Sequence, residues 1–136
     1  MSEIQVIRDT YVVTAAEVAA ANFWGRAFRP GEAVTTYIDA LVPVTFAPQR
    51  WKIRDCVTCV VNANGTRKQG VFTAFEAFND RQSGTVLVGY DVQCFGEFNR
   101  IRDVWVDYGL LVVMRPGACI AGDLLSTVLC YEVVKL

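Results

Sequence analysis

From Ala33 to Phe46 apolar residues recur at every second position. Val34, Ile38, Ala40, Val42, Val44 and Phe46 share one parity, with Thr35, Asp39 and Thr45 on the other. A period of two marks a half-buried strand. Pro43 has no N–H for a ladder bond, which predicts an edge strand or a bulge there. The pattern returns over Trp51–Asn62, where Ile53, Val57, Cys59 and Val61 face one way and Lys52, Arg54 and Thr58 the other. Asn64-Gly65 then predicts a type I′ hairpin turn. That signal makes 68–78 the return strand, although Val71, Phe75 and Phe78 would also suit a helix.

The polar stretch Asn79–Gly84 predicts a turn. Val86, Val88, Tyr90, Val92 and Cys94 then alternate with Thr85, Asp91 and Gln93. Residues 103–108 and 110–114 read as two short strands, or as one bent at Gly109. Arg115-Pro116-Gly117 closes that stretch. Residues 125–136 are apolar on both parities, which predicts a central strand. One segment reads as helix. Thr14-Ala15-Ala16-Glu17 is a capping box, with a hydroxyl at the N-cap and Glu three residues on. It opens a short helix over about 15–22, broken at Gly25 and again at Arg29-Pro30-Gly31.

Seven or eight strands spaced by turn signals, with one short N-terminal helix, predict an all-β fold: an antiparallel β-sandwich of jelly-roll-like topology. The 136 residues fit one domain. Within it, 1–32 is an N-terminal segment carrying the helix and 33–136 is the β core.

Composition narrows the chemistry more than it widens it. The chain contains no histidine, the commonest general base and metal ligand. Ser-His-Asp and Cys-His mechanisms in their usual form are thereby excluded. Five cysteines, at 56, 59, 94, 119 and 130, are odd in number and dispersed, which is not a disulfide framework. Cys56-Val57-Thr58-Cys59 has redox or zinc spacing. A step of three inside a strand, however, puts the two thiols on opposite faces, so they read as ordinary strand cysteines. Asp103 and Asp107 flank Trp105 with shared parity, the arrangement of a glycosidase pair. Alternation with Val104, Val106 and Tyr108 explains them more simply, as the solvated face of a strand. Asn64-Gly65-Thr66 fits a glycosylation sequon, but the turn accounts for it equally. No enzymatic activity and no cofactor or metal site is expected.

The net charge of −1 gives no field for nucleic acid or membrane, and a basic arm for genome packaging is missing. Met1-Ser2-Glu3 opens no secretory signal, and no apolar run approaches the roughly 18 residues of a membrane span. The chain reads as complete and synthesised in the cytoplasm.

Hydrophobic residues make up 53% of the chain, so the surplus fills either a core or a subunit contact. Phe23, Trp24, Arg26, Phe28 and Arg29 interleave aromatics with arginines. Such a run can plug one end of the sandwich, contact a protein neighbour, or bind nucleic acid. We take these five as interface candidates on an arm that reaches another subunit. The functional expectation is a self-assembling structural subunit, a virion coat, minor capsid or decoration protein, partnered by copies of itself or by other structural subunits. The alternative is a binding module for a carbohydrate or small apolar ligand, with Trp51, Trp105 and Tyr108 as platforms.

Overall fold

A computed structural model of the chain describes residues 3–20, 24–38, 47–68, 71–79, 87–94, 98–115 and 119–134. Residues 20, 24, 37, 38, 79 and 87–94 are described by backbone alone. In chain order the elements are β1 (Ile4–Val12), α1 (Ala15–Ala20), β2 (Trp24–Phe28), β3 (Thr35–Ile38), β4 (Arg50–Val61) and β5 (Thr73–Asn79). β6 (Leu87–Cys94), β7 (Asn99–Ile101), β8 (Val104–Val106), β9 (Gly109–Met114) and β10 (Leu124–Val134) follow.

The strands form two five-stranded antiparallel sheets packed as a sandwich. The first has the order β1-β10-β4-β7, with β8 also paired to β4; the second has the order β3-β2-β9-β5-β6. All-β architecture and antiparallel pairing match the expectation, and ten described strands exceed the seven or eight expected. The three missed strands share a cause. β1 has apolar residues on both parities, β2 is interrupted by Gly25 and Arg26, and β7 is only three residues long. None presents a clean period of two.

β10 is central as predicted, between β1 and β4. Its inward residues Leu125, Leu129 and Tyr131 meet Trp51, Ile53, Cys56 and Val60 of β4. Phe28, Phe75, Ala77, Leu110, Val112 and Met114 of the second sheet close on them from the other side. Trp51 and Tyr131 stack at 3.9 Å between centroids, and Trp51 Nε1 donates to Gln49 Oε1 at 3.1 Å, so the buried indole keeps a polar partner. Thr58 and Thr127 face each other inside the core with their hydroxyls 3.1 Å apart, and Thr58 lies 3.2 Å from the Ser126 carbonyl. Two buried hydroxyls are thereby satisfied without water.

Along β4 the structure overturns the expected faces. Asp55 pairs with Cys130 but Ile53 pairs with Tyr131, so Arg54 is an extra residue. This bulge shifts the alternation by one step. Ile53 points inward as predicted. Beyond the bulge Cys56, Thr58 and Val60 point inward, whereas Val57, Cys59 and Val61 lie half-buried on the outer face.

The turn after β4 also differs. Gly65 has φ +83°, and Asp103 is the only described non-glycine residue with positive φ, so Asn64 cannot take the second positive φ of a type I′ turn. Asn62 N–H donates to the Thr66 carbonyl and Gly65 N–H to the Asn62 carbonyl, each at 2.9 Å. The loop has three residues with glycine in the left-handed position. Asn62 Oδ1 accepts from the N–H groups of Asn64 and Thr66, both at 3.0 Å. Beyond the Val61–Arg67 bridge no further pairing of this hairpin is seen among the described residues, and β5 belongs to the other sheet.

Residues 103–114 resolve as two strands in different sheets. β8 pairs with β4, and β9 lies between β2 and β5. Of the strand expected over 33–46, Thr35–Ile38 forms at an edge, and 39–46 lies outside the described residues.

The capping box forms as read. Thr14 N–H donates to Glu17 Oε1 at 2.9 Å, and Glu17 N–H to Thr14 Oγ1 at 3.3 Å. The N-terminal segment, however, is not an arm. β1 pairs with β10 over nine residues, and β2 sits between β3 and β9. A Cβ on Gly25 would lie 1.7 Å from the Val112 carbonyl oxygen, so only glycine fits this approach of β2 to β9. Deleting residues 1–30 removes a strand from each sheet and is expected to abolish the cooperative unfolding transition followed by circular dichroism. A truncated chain with an intact transition would place the segment outside the folded unit.

Candidate interaction surface

The registers of β1, β10 and β4 line up side chains in rows across the outer face of the first sheet. One row is Ile4, Glu132, Lys52 and Trp105; the next is Val6, Cys130 and Asp55. Arg8, Val128, Val57 and Arg100 follow, then Thr10, Ser126 and Cys59, then Val12, Leu124 and Val61. Phe98 precedes β7 on the same side as Arg100, by alternation with buried Asn99 and Ile101. Six large apolar residues are exposed among those described, and five are on this face: Ile4 (53%), Val6 (51%), Val12 (54%), Phe98 (45%) and Trp105 (37%). The sixth, Ile120, is in the loop before β10.

Charge collects at the β8 end of this face. Arg54 donates to Glu132 at 2.9 Å and lies 3.6 Å from Asp103. Arg100 holds Asp55 with two hydrogen bonds of 2.8 and 2.7 Å. This guanidinium keeps the Asp55 carboxyl below the usual carboxylate range. Over the Trp105 ring lie the Arg50 guanidinium, 4.3 Å from the centroid, and the Lys52 ammonium at 4.7 Å, both cation–π contacts. Every acid here has an arginine beside it, so the surface is mixed in sign.

The residues singled out from sequence separate into distinct roles. Of the three ligand platforms, Trp51 and Tyr108 are 3% and 1% exposed, inside the two hydrophobic clusters, and offer no surface. Trp105 is accessible, with its ring engaged by Arg50 and Lys52. Among the interface candidates, Phe28 is a core residue. Arg29 binds Glu32 at 2.9 Å and the Tyr108 carbonyl at 3.0 Å. Arg26 bridges the sheets, gripping Asp9 of β1 at 2.9 and 3.0 Å under the Tyr11 ring. Phe23 lies outside the described residues; Trp24 is placed by its backbone, opposite Ile38 and Met114.

Asp103 and Asp107 do not form a carboxylate pair. Asp103 is exposed in the β7–β8 turn with φ 55°. Asp107 was expected on the solvated face and is instead buried, because the chain leaves β8 there to enter the other sheet. Its Oδ1 lies 2.8 Å from Arg50 Nε, and its carbonyl accepts from Ala47 N–H at 2.9 Å. Asp123 serves a similar anchoring role. Its Oδ2 accepts from Lys68 Nζ at 2.7 Å and from Ile120 N–H at 2.9 Å, fixing the turn into β10. Sequence reasoning missed this surface because bulge and parity together decide which valines face outward. Among the described residues no group of His, Cys, Asp and Glu is arranged to hold a metal.

No protein-family model matches the chain, and no curated protein matches it either.

Replacing Arg50 with Met removes a basic partner of the buried Asp107 carboxylate. Removing one partner of a fully buried pair typically costs about 3–5 kcal/mol. Arg50 is partly exposed, so about 2–3 kcal/mol is expected from urea unfolding. A change near zero would remove the pair from the stability of the β8–β9 crossing.

The thiols give a second prediction. Burial pushes the Cys56 thiol well up and the Cys119 thiol from 9.0 to about 11. Cys59 and Cys130 are half-buried on the outer face. In the monomeric chain, peptide mapping after brief alkylation should find Cys59 and Cys130 labelled before Cys56 and Cys119. Below its unfolded pKa of 9.0 the Cys119 contribution to stability is fully present, and it is lost as pH rises through about 11. Cys119→Ala should therefore flatten the fall in stability between those values. An unchanged slope would show that Cys119 carries none of it.

Proposed function

We propose that this chain is a self-assembling structural subunit rather than an enzyme, and that its setting is a virus or phage shell, as coat, minor capsid or decoration protein. The observation that carries the reading is the apolar outer face of the first sheet. Outward positions of a two-layer sandwich are ordinarily polar. Here valines, leucine, cysteines and isoleucine run across β1, β10 and β4. The exposed residues among them remain about half accessible with the whole chain present. Contiguous apolar surface of this kind marks an interaction site. The mixed-sign charge at one end supplies the polar rim that surrounds an apolar centre in subunit contacts.

Strand order supports the same reading at the level of fold. With β3 set aside as an added edge strand and β7 and β8 counted as one interrupted strand, the sheets become 1-8-3-6 and 2-7-4-5. That order supports a jelly-roll reading of the sandwich, an architecture found in viral capsid and lectin domains. A fold hosts many functions, so the weight rests on the surface. The net charge of −1 favours a shell role over genome packaging.

Light scattering of the native protein is expected to give a defined multiple of the chain mass. Cys59 and Cys130 should be protected from alkylation in that species and reactive once it dissociates. Val57 and Val128 are register partners at the centre of the face. Changing both to Lys should leave the circular dichroism spectrum intact and lower the native mass. A monomer at every accessible concentration, with both face thiols fully reactive, would count against the proposal.

A further inference from the structure

We infer that β1 pairs antiparallel with β1 of a second copy across a two-fold axis, joining two first sheets into one continuous sheet. This rests on the assembly reading and names one contact within it. Among the described strands β1 pairs with β10 alone, and its other side is an edge of that described sheet. Edge strands are usually guarded by shortness, proline, lysine or a bulge. β1 has nine residues, a register with β10 free of shifts, and neither proline nor lysine; its two charges are Arg8 on the outer face and Asp9, which Arg26 already pairs.

The direction of its free groups follows from the bonds at its end. Val13 N–H donates to the Asp123 carbonyl at 2.8 Å, and the Val13 carbonyl accepts from Gly122 N–H at 2.9 Å. Val13 thus turns its main chain toward β10, and by alternation so do Tyr11, Asp9, Ile7 and Gln5. Ile4, Val6, Arg8, Thr10 and Val12 turn theirs to the open edge. The same residues put their side chains on the apolar outer face, and all five are exposed.

Charge selects the partner and the register. Centring the axis on Arg8 would set two like charges opposite each other, which destabilises a pair. Centring it on Ile7 sets Arg8 against Val6 and carries Val12 to the end of the paired span. Centring it on Asp9 sets Val6 against Val12 of the second copy and Arg8 against its Thr10, each twice. The two Asp9 carboxylates then meet on the inner face. Each is already neutralised by its own Arg26 through two hydrogen bonds of 2.9 and 3.0 Å. In this register the edge meets an identical edge with no unneutralised like charges opposed, which an isologous contact permits. Four residue pairs exchanging both main-chain bonds add about eight hydrogen bonds.

The test uses an outward position. Arg8→Pro removes an edge N–H without touching the β10 ladder, with Arg8→Ala as control. Arg8→Pro should halve the native mass seen by light scattering, and Arg8→Ala should not change it. Register is read separately by Val6→Cys with Val12→Cys in a Cys130→Ser background, because Val6 lies opposite Cys130. Oxidation of this variant should give a covalent dimer, and Val6→Cys alone in the same background should give none. An Arg8→Pro protein of unchanged mass, with no covalent dimer from the cysteine pair, overturns the edge contact while leaving assembly through the face intact. A wild-type monomer with reactive Cys59 and Cys130 overturns both. If Arg8→Pro fails to fold, the cysteine pair decides alone.

Discussion

One extra residue in β4 determines which side chains the first sheet hides and which it shows. Alternation along a strand is strict, and Arg54 breaks it once. Before the bulge Trp51 and Ile53 enter the core. After it Cys56, Thr58 and Val60 do so, while Val57, Cys59 and Val61 are turned out. Without the bulge these two sets would exchange faces. Cys59 would then be placed inside, and Thr58, which now meets Thr127 in the core, would be placed outside. The outer face with its valines, and with it the proposed contact surface, depends on this local feature and on the register that β10 transmits from β4 to β1.

Much of the architecture was legible in residue patterns, and the failures have physical causes. The capping box at Thr14 and Glu17, the central position of β10 and the antiparallel all-β class all follow from local rules that tertiary structure did not override. β1 was illegible because an edge strand with apolar residues on both faces has no alternation to find. The hairpin after Asn62 misled because Asn-Gly also fits a three-residue loop, and a turn does not commit the following chain to the same sheet. Asp107 shared parity with Asp103 and Trp105. Parity holds only within one strand, and Asp107 sits where the chain changes sheets. Arg26, Phe28 and Arg29 read from sequence as part of an arm that reaches a neighbour. Their roles inside the sandwich depend on β9 and β1, which are remote in sequence.

The buried charges follow the same logic of crossings. Asp107 lies where β8 hands over to β9, and Asp123 where the loop enters β10. Each meets one basic side chain, Arg50 or Lys68, whose own exposure is partial. An anion at the sandwich margin can be paired by a long side chain that keeps contact with water, which lowers the desolvation cost of a fully interior pair. These contacts locate the crossings, and the apolar interior supplies the bulk of the driving force.

Arg26 joins the interior to the edge. It lies on β2 in the second sheet and grips Asp9 on β1 in the first, with Tyr11 stacked beside it. By neutralising Asp9 it removes the one negative charge on the inner side of β1 that would repel an identical strand. The same contact holds β1 against the sandwich, so the edge is ordered before any proposed self-pairing. Preorganisation lowers the entropic cost of association. Arg8, on the opposite face, has the contrary effect, because it disfavours the register that would bring two copies of it together. A partly buried ion pair and an exposed arginine thus act on one strand from its two sides, one permitting the proposed self-pairing and the other restricting its register.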